Sequence, residues 1–176
     1  MDEIFKSFLL KKLTTLFTNQ LSAHQKSGII HIWNNEYPQQ LQYHSPEEFD
    51  TYLSKLKDCE HIIFEAEGGQ IIGWLMVFWR DDAKWFAMIL DSAFQKQGLG
   101  SHLLNLAKER NTQLNGWATD HENYRKANGE IYRSPLTFYQ KNGFQILTET
   151  RFENEILSSV KIQWKKNPAP KTERDH

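Results

Sequence analysis

Apolar positions recur along this chain at three spacings, and together they divide it into strands, helices and turns. The run Ile71-Ile72-Gly73-Trp74-Leu75-Met76-Val77-Phe78-Trp79 is almost uniformly apolar, the mark of a strand covered on both faces. A strand over 70–79 is therefore predicted near the middle of a sheet. His61 to Ala66 precedes it across Glu67-Gly68-Gly69, and Arg80-Asp81-Asp82-Ala83 turns the chain into a further strand, Lys84 to Leu90; both junctions read as tight hairpin connections.

Helical spacing appears elsewhere. Phe49, Tyr52, Leu53 and Leu56 fall at i, i+3, i+4 and i+7 behind Ser45, Pro46 and Glu48, a capped amphipathic helix. Ser22-Ala23-His24-Gln25 reads as a capping box opening a helix that runs to about Asn35, with Ile29, Ile32 and Trp33 on one face and Pro38 beyond its end. Leu99, Leu103, Leu106 and Ala107 give a third helix, to Arg110, its packing face.

Shorter elements complete the pattern. Ile4 to Leu13 is expected to form a first strand and Leu114 to Asp120 a fifth, where Gly116 marks a bulge or a close backbone approach. His121 to Arg133 is a polar connection with a turn at Ala127-Asn128-Gly129. Ser134-Pro135 caps a last helix, which Asn142-Gly143 ends with Gly143 left-handed. Phe144 to Phe152 and Val160 to Lys165 form a final hairpin, and the charged, proline-bearing stretch from Asn167 to His176 reads as a frayed tail.

Composition narrows the function more than the fold. With 176 residues, one domain over 1–166 is expected, followed by the tail over 167–176. Acidic and basic residues nearly cancel, 22 against 21, and no basic stripe points to nucleic acid. The ligand is expected to be a small molecule or a peptide. Cys59 has no disulfide partner, and its acidic neighbours Asp58 and Glu60 do not activate a thiol. His24, His31, His44, His61, His102 and His176 show no metal-ligand spacing, so no metal is expected. The acidic opening Met1-Asp2-Glu3 does not read as a signal peptide, and no apolar run approaches the roughly 20 residues that span a bilayer. The expectation is a cytoplasmic protein with no membrane partner.

The chemistry concentrates at Gln95-Lys96-Gln97-Gly98-Leu99-Gly100, between a strand and a helix. Successive backbone N–H groups and the positive end of a helix dipole suit an anion there. Two familiar phosphate loops do not fit, because Ser101 and His102 follow where a Walker loop needs lysine, and Leu103 stands where the dinucleotide fingerprint needs its third glycine. What remains is the pattern Gln/Arg-x-x-Gly-x-Gly/Ala. Downstream, Phe138-Tyr139-Gln140-Lys141-Asn142-Gly143-Phe144 matches a second pattern, F-Y-x-K-x-G-F, in the right order. On these two motifs the sequence resembles the GCN5-related N-acetyltransferases (the GNAT superfamily).

The resemblance covers about Phe5 to Lys165 and implies the acyl-CoA N-acyltransferase fold: an α/β domain with a mixed, mostly antiparallel sheet, one splayed strand pair and about four flanking helices. It implies acetyl-CoA as co-substrate and transfer of the acetyl group to a primary amine by direct attack in a ternary complex. The pyrophosphate would lie on Gln95, Lys96, Gln97, Gly98, Leu99, Gly100 and Ser101, and the pantetheine arm along Met88, Ile89 and Leu90, in the wedge beside Leu114 to Asp120. The backbone N–H of Leu90 would receive the thioester oxygen. Tyr139 matches the tyrosine that protonates the departing thiolate; the competing reading is a helix tyrosine packed beside Phe138 and Phe144.

Departures from the family pattern leave other roles open. Gln95 replaces a frequent arginine, with Lys96 a substitute charge, and Tyr132 stands where many relatives carry a cofactor-contacting asparagine. The Lys84 to Leu90 strand lacks the carboxylate that often serves as base, leaving Asp120 and His121, with Glu122 and Asp91 behind them, as candidates within what otherwise reads as a solvated loop cluster. Trp33 and Trp117 are candidates to line the acceptor pocket. The acceptor's identity and homodimerisation stay open, and a non-catalytic CoA-binding module of the same fold is the alternative function.

Overall fold

The computed structural model describes residues 12–168. Within them, seven strands form one sheet in the order β1-β2-β3-β4-β5-β7-β6: β1 (Thr14–Thr18), β2 (Lys57–Glu65), β3 (Ile71–Arg80), β4 (Ala83–Leu90), β5 (Gln113–Ala118), β6 (Gln145–Glu153) and β7 (Ser158–Lys165). Four helices flank it: α1 (Ala23–Glu36), α2 (Pro46–Ser54), α3 (Leu99–Glu109) and α4 (Leu136–Lys141). All pairings are antiparallel except β4 with β5, which is parallel.

β3 is buried from Ile71 to Phe78, as its apolar run requires, because each face carries its own layer. Leu103, Leu104 and Ala107 of α3 pack on one side with Ile72, Leu75 and Val77. Ile29, Ile32 and Trp33 of α1 and Phe49 of α2 pack on the other with Ile71, Trp74 and Met76. α1 lies so close to β3 that a Cβ on Gly28 would stand 2.4 Å from Ile71 Cγ1. Only glycine allows that approach.

Local signals hold in detail. Both halves of the capping box at Ser22 are made, with the Ser22 hydroxyl accepting from the Gln25 N–H and the Gln25 amide oxygen from the Ser22 N–H. The Asp81-Asp82 turn joins the paired residues Arg80 and Ala83 with φ positive at both aspartates, the backbone that matches strand twist in a two-residue hairpin. Gly143 has φ 80°. Its N–H donates to the Gln140 carbonyl and that of Phe144 to Tyr139, a Schellman closure.

Two expectations are corrected, and one falls largely outside the described residues. The expected strand at Ile4 to Leu13 falls outside the described residues except for its last two positions, as does most of the 167–176 tail; among the described residues the first strand is Thr14–Thr18. A threonine-rich edge strand with alternating exposure carries a weaker apolar signal than the stretch before it. Pro135 rather than Ser134 takes the N-cap position of α4; the Ser134 hydroxyl donates to the Thr119 carbonyl and accepts from the Leu136 N–H at 3.4 Å. Cys59 lies inside β2 rather than on the turn before it, half-buried, with burial and Asp58 raising its thiol pKa.

Gly116 makes a close approach and no bulge. β5 pairs with β7 without interruption, while a Cβ on Gly116 would meet the Phe86 ring at 2.8 Å.

His61 is buried, its Nδ1 accepting from Trp74 Nε1 at 3.1 Å, and burial pushes its pKa down to about 4. The unfolded imidazole takes its proton near pH 6.5, so this contribution to stability is complete above that value. It is lost as pH falls from about 6.5 to 4, roughly 3 kcal/mol in all. Thermal melts at pH 7 and 4.5 should show a smaller acid-induced drop in Tm for His61→Gln than for the parent chain.

Candidate active site

The wedge follows from one failed pairing. β4 and β5 share a single ladder pair, Trp85 with Asn115. The buried Asn115 amide closes that junction, donating to the Lys84 carbonyl at 2.9 Å and accepting from Gln163 at 2.8 Å. Beyond it the strands separate, leaving Met88 to Leu90 without a neighbour on that side.

The ladder on the other side fixes what faces the gap. The Asp91 N–H donates to the Ile72 carbonyl, and polar groups alternate along an antiparallel strand, so Leu90 and Met88 turn theirs toward the missing strand. Side chains occupy both carbonyls: Tyr37 donates to that of Met88 and Gln95 to that of Leu90 at 2.9 Å. The Leu90 N–H thereby remains directed into the gap.

At the gap's end, α3 begins without any side-chain cap and with no acidic residue in its first turn. Gly98, the N-cap, has φ 81°, and Lys96 has φ 60°. The first N–H to enter the helix ladder is that of His102, bonded to the Gly98 carbonyl at 3.0 Å. The N–H groups of Gly98, Leu99, Gly100 and Ser101 are the orphans of this terminus. A Cβ on Gly100 would lie 3.1 Å from the Phe138 ring, so glycine is what lets α4 close over the loop.

Gap and helix terminus open into one cavity of about 920 Å³. Its loop side is lined by Gln95, Lys96, Gly98, Gly100 and Ser101, and its strand side by Met88, Ile89 and Leu90. Gln97 and Leu99 do not line it; Leu99 turns into the core, and the Gln97 amide reaches the Ala93 carbonyl. Phe138 and Tyr139 stand over it from α4. Tyr139 is held by Phe86, Phe138 and Phe144 through edge-on ring contacts. The reading of a helix tyrosine packed beside Phe138 and Phe144 is met, and the residue also lines the cavity. Burial, reinforced by the Tyr132 phenol, holds the Tyr139 pKa well above the ordinary phenol value.

Asp120 and His121 are not brought to this cavity. Arg151 clamps Asp120 in a two-point ion pair at 2.8 and 3.2 Å and lowers its pKa, which suits a latch better than a base. His121 packs edge-on against Tyr124, and its Nδ1 accepts from the Asn123 N–H. Trp117 does line the cavity, but Trp33 is buried, donating to the Leu41 carbonyl among Tyr37, Tyr43 and Tyr52.

Four cavity residues went unnoticed in the sequence: Glu36, Lys126, Glu130 and Ile131. Glu36 ends α1, where apolar periodicity says nothing about a carboxylate, and Lys126, Glu130 and Ile131 lie in the polar connection, which forms a small hairpin through the bridge between Arg125 and Ile131. Tyr132, in the same hairpin, faces Tyr37 across the cavity wall, its pKa pushed up to about 12 by burial.

Residues 57–146 match the model of the acetyltransferase (GNAT) domain, a span of half the chain that holds β2 to β5, the glycine loop and α4. The chain belongs to the GNAT family. The GNAT fold is also seen in solved structures to which this chain is similar. An aminoglycoside 6'-N-acetyltransferase complexed with coenzyme A matches at 12% identity and TM-score 0.64, over 89% of this chain and 99% of that one. An acyl-CoA N-acyltransferase from Pseudomonas aeruginosa matches at 15% identity and TM-score 0.62, over 86% and 98%. A phosphinothricin acetyltransferase from Sinorhizobium meliloti, in complex with AcCoA, matches at 14% identity and TM-score 0.57, over 87% and 89%. No curated protein matches the chain. Among the described residues, no helix of this GNAT domain is long and apolar enough to cross a membrane, and no cluster of side chains is arranged to hold a metal.

Proposed function

We propose that this chain is an acetyl-CoA-dependent N-acetyltransferase that passes the acetyl group to a primary amine by direct attack in a ternary complex. The observation that carries the proposal is the uncapped start of α3 opening into the same cavity as the unpaired edge of β4. Acetyl-CoA, when bound, supplies the acetyl group as an activated thioester. The orphan N–H groups of Gly98 to Ser101, with Lys96 beside them, suit its diphosphate. Gln95 serves the loop by fixing the Leu90 carbonyl. Met88, Ile89 and Leu90 offer an unpaired strand edge to the pantetheine arm.

Leu90 is the oxyanion donor, because its N–H faces the gap from a rigid strand, and a donor that need not reorganise lowers the barrier most. Tyr139 is the general acid. The residue lines the cavity and its phenol is protonated at neutral pH, so it has a proton to give to the departing sulfur. The cytoplasm is the compartment we assign.

Two measurements test the reading. Calorimetry with CoA should give one site per chain, and thiol release from acetyl-CoA should appear with at least one member of a panel of primary amines. Binding without thiol release from any amine would leave a CoA-binding module, and absence of binding would overturn both.

A further inference from the structure

Glu36 is placed where elementary electrostatics would not put a carboxylate. It is the last residue of α1, at the negative end of the helix dipole, with no basic residue in the last turn. It is also buried, 7% exposed, which costs an ion its hydration. Its Oε1 accepts the Ser92 N–H at 3.0 Å, and its Oε2 accepts from Lys126 Nζ at 2.8 Å. The Lys126 side chain is 16% exposed, and among the described residues it bonds to Glu36 alone. Both side chains line the cavity, beside Trp117, Ile131 and Tyr132.

A latch holding down the 120–135 hairpin is the plainer role for this pair, and the hairpin does not need one. It is tied by the Gln39 N–H to the Arg125 carbonyl, by the Ser158 N–H to the Tyr124 hydroxyl, and by the Ser134 hydroxyl to the Thr119 carbonyl. Apolar residues of similar volume would hold it as well without burying two charges. A rule broken without structural gain points to a functional site.

We propose that Glu36 and Lys126 form the acceptor-recognition site, and that the acceptor is a free α-amino acid with an apolar side chain. This rests on the acetyltransfer reading above. The acceptor's ammonium pairs with Glu36 and its carboxylate with Lys126, so a compact zwitterion enters an existing ion pair with every charge matched. Trp117, Ile131 and Tyr132 provide the apolar wall. Glu130 and Arg133 also line the cavity and are exposed.

The site stands at the right place for the chemistry. Glu36 bonds to Ser92, two residues after Leu90, and two residues span at most about 7 Å. The ammonium gives one proton to Glu36, and the nitrogen lone pair then forms the C–N bond. As the C–S bond breaks, sulfur takes the Tyr139 proton, and the second proton leaving nitrogen restores the phenol. Glu36 finally releases its proton to solvent.

Matched pairs of substrates test this: phenylalanine against phenethylamine and leucine against isoamylamine, by thiol release from acetyl-CoA. The parent chain should favour the amino acid in kcat/KM by about 10–100-fold, the scale of a hydrogen-bonded charge. Lys126→Met should bring that ratio near unity by raising the amino acid's KM more than the decarboxylated amine's, while Lys126→Arg should keep most of the preference. Glu36→Gln should lower kcat on both by roughly 10²-fold or more with CoA affinity, read by calorimetry, unchanged. A parent chain that prefers the decarboxylated amines or turns over only peptides, or a Lys126→Met chain with an unaltered ratio, overturns the proposal and leaves acetyl transfer standing. Thiol release from no amine at all overturns both together.

Discussion

Tyr139→Phe should lower kcat by about 10²–10⁴-fold, the range of a general acid, with KM for acetyl-CoA nearly unchanged. The substitution removes one oxygen and keeps the ring contacts with Phe86, Phe138 and Phe144. Thermal stability should therefore stay close to that of the parent chain, and a large fall in Tm would mean that the hydroxyl matters to packing. The pH profile separates the roles further. An exposed phenol loses its proton near pH 10, whereas burial raises this one, so kcat should hold its plateau through pH 10 instead of falling there. A variant with undiminished kcat would remove Tyr139 from the chemistry, whereas an alkaline limb at the ordinary phenol value would mean only that burial does not raise its pKa.

The second large effect belongs to the glycine loop. Gly98→Val places a β-branched residue at φ 81°, a left-handed backbone that costs about 1–2 kcal/mol and turns orphan N–H groups away from a common centre. Gly100→Val pushes into the Phe138 ring, already 3.1 Å from where a Cβ would stand. Each lost hydrogen bond to a charged group is worth about 1.5–3 kcal/mol. CoA affinity measured by calorimetry should fall about 10–100-fold in either variant, and kcat at saturating acetyl-CoA should fall less. Gly143→Val is the control, because it strains a left-handed glycine at the end of α4, outside the cavity lining. Unaltered CoA affinity in both loop variants would place the diphosphate elsewhere.

The elements were legible where one physical cause dominated the pattern. β3 read as a doubly covered strand because eight successive residues are buried, and α1 and α2 announced themselves through Ser22, Gln25, Ser45 and Pro46, whose caps act within four residues. β1 was not legible because an edge strand needs little apolar character, and its register with Glu65 to His61 depends on a partner about fifty residues away. The same holds for the cavity. Gln95 to Ser101 and Tyr139 could be read from motifs because loop geometry and helix spacing are local. Asp120 was a candidate base through nearness in sequence to the wedge, and the fold gave it instead to Arg151, which a three-residue irregularity in β6 brings alongside.

What the chain determined by itself was the order and kind of its elements and the glycine-bearing start of α3, because hydrogen bonds and φ preferences act between residues close in sequence. Only the tertiary structure decided which carboxylates line the cavity. Glu36 and Lys126 are ninety residues apart, and no periodicity or motif encodes a meeting of that kind. It follows from where β4 and β5 part and where the 120–135 hairpin lands, which is a matter of packing across the sheet.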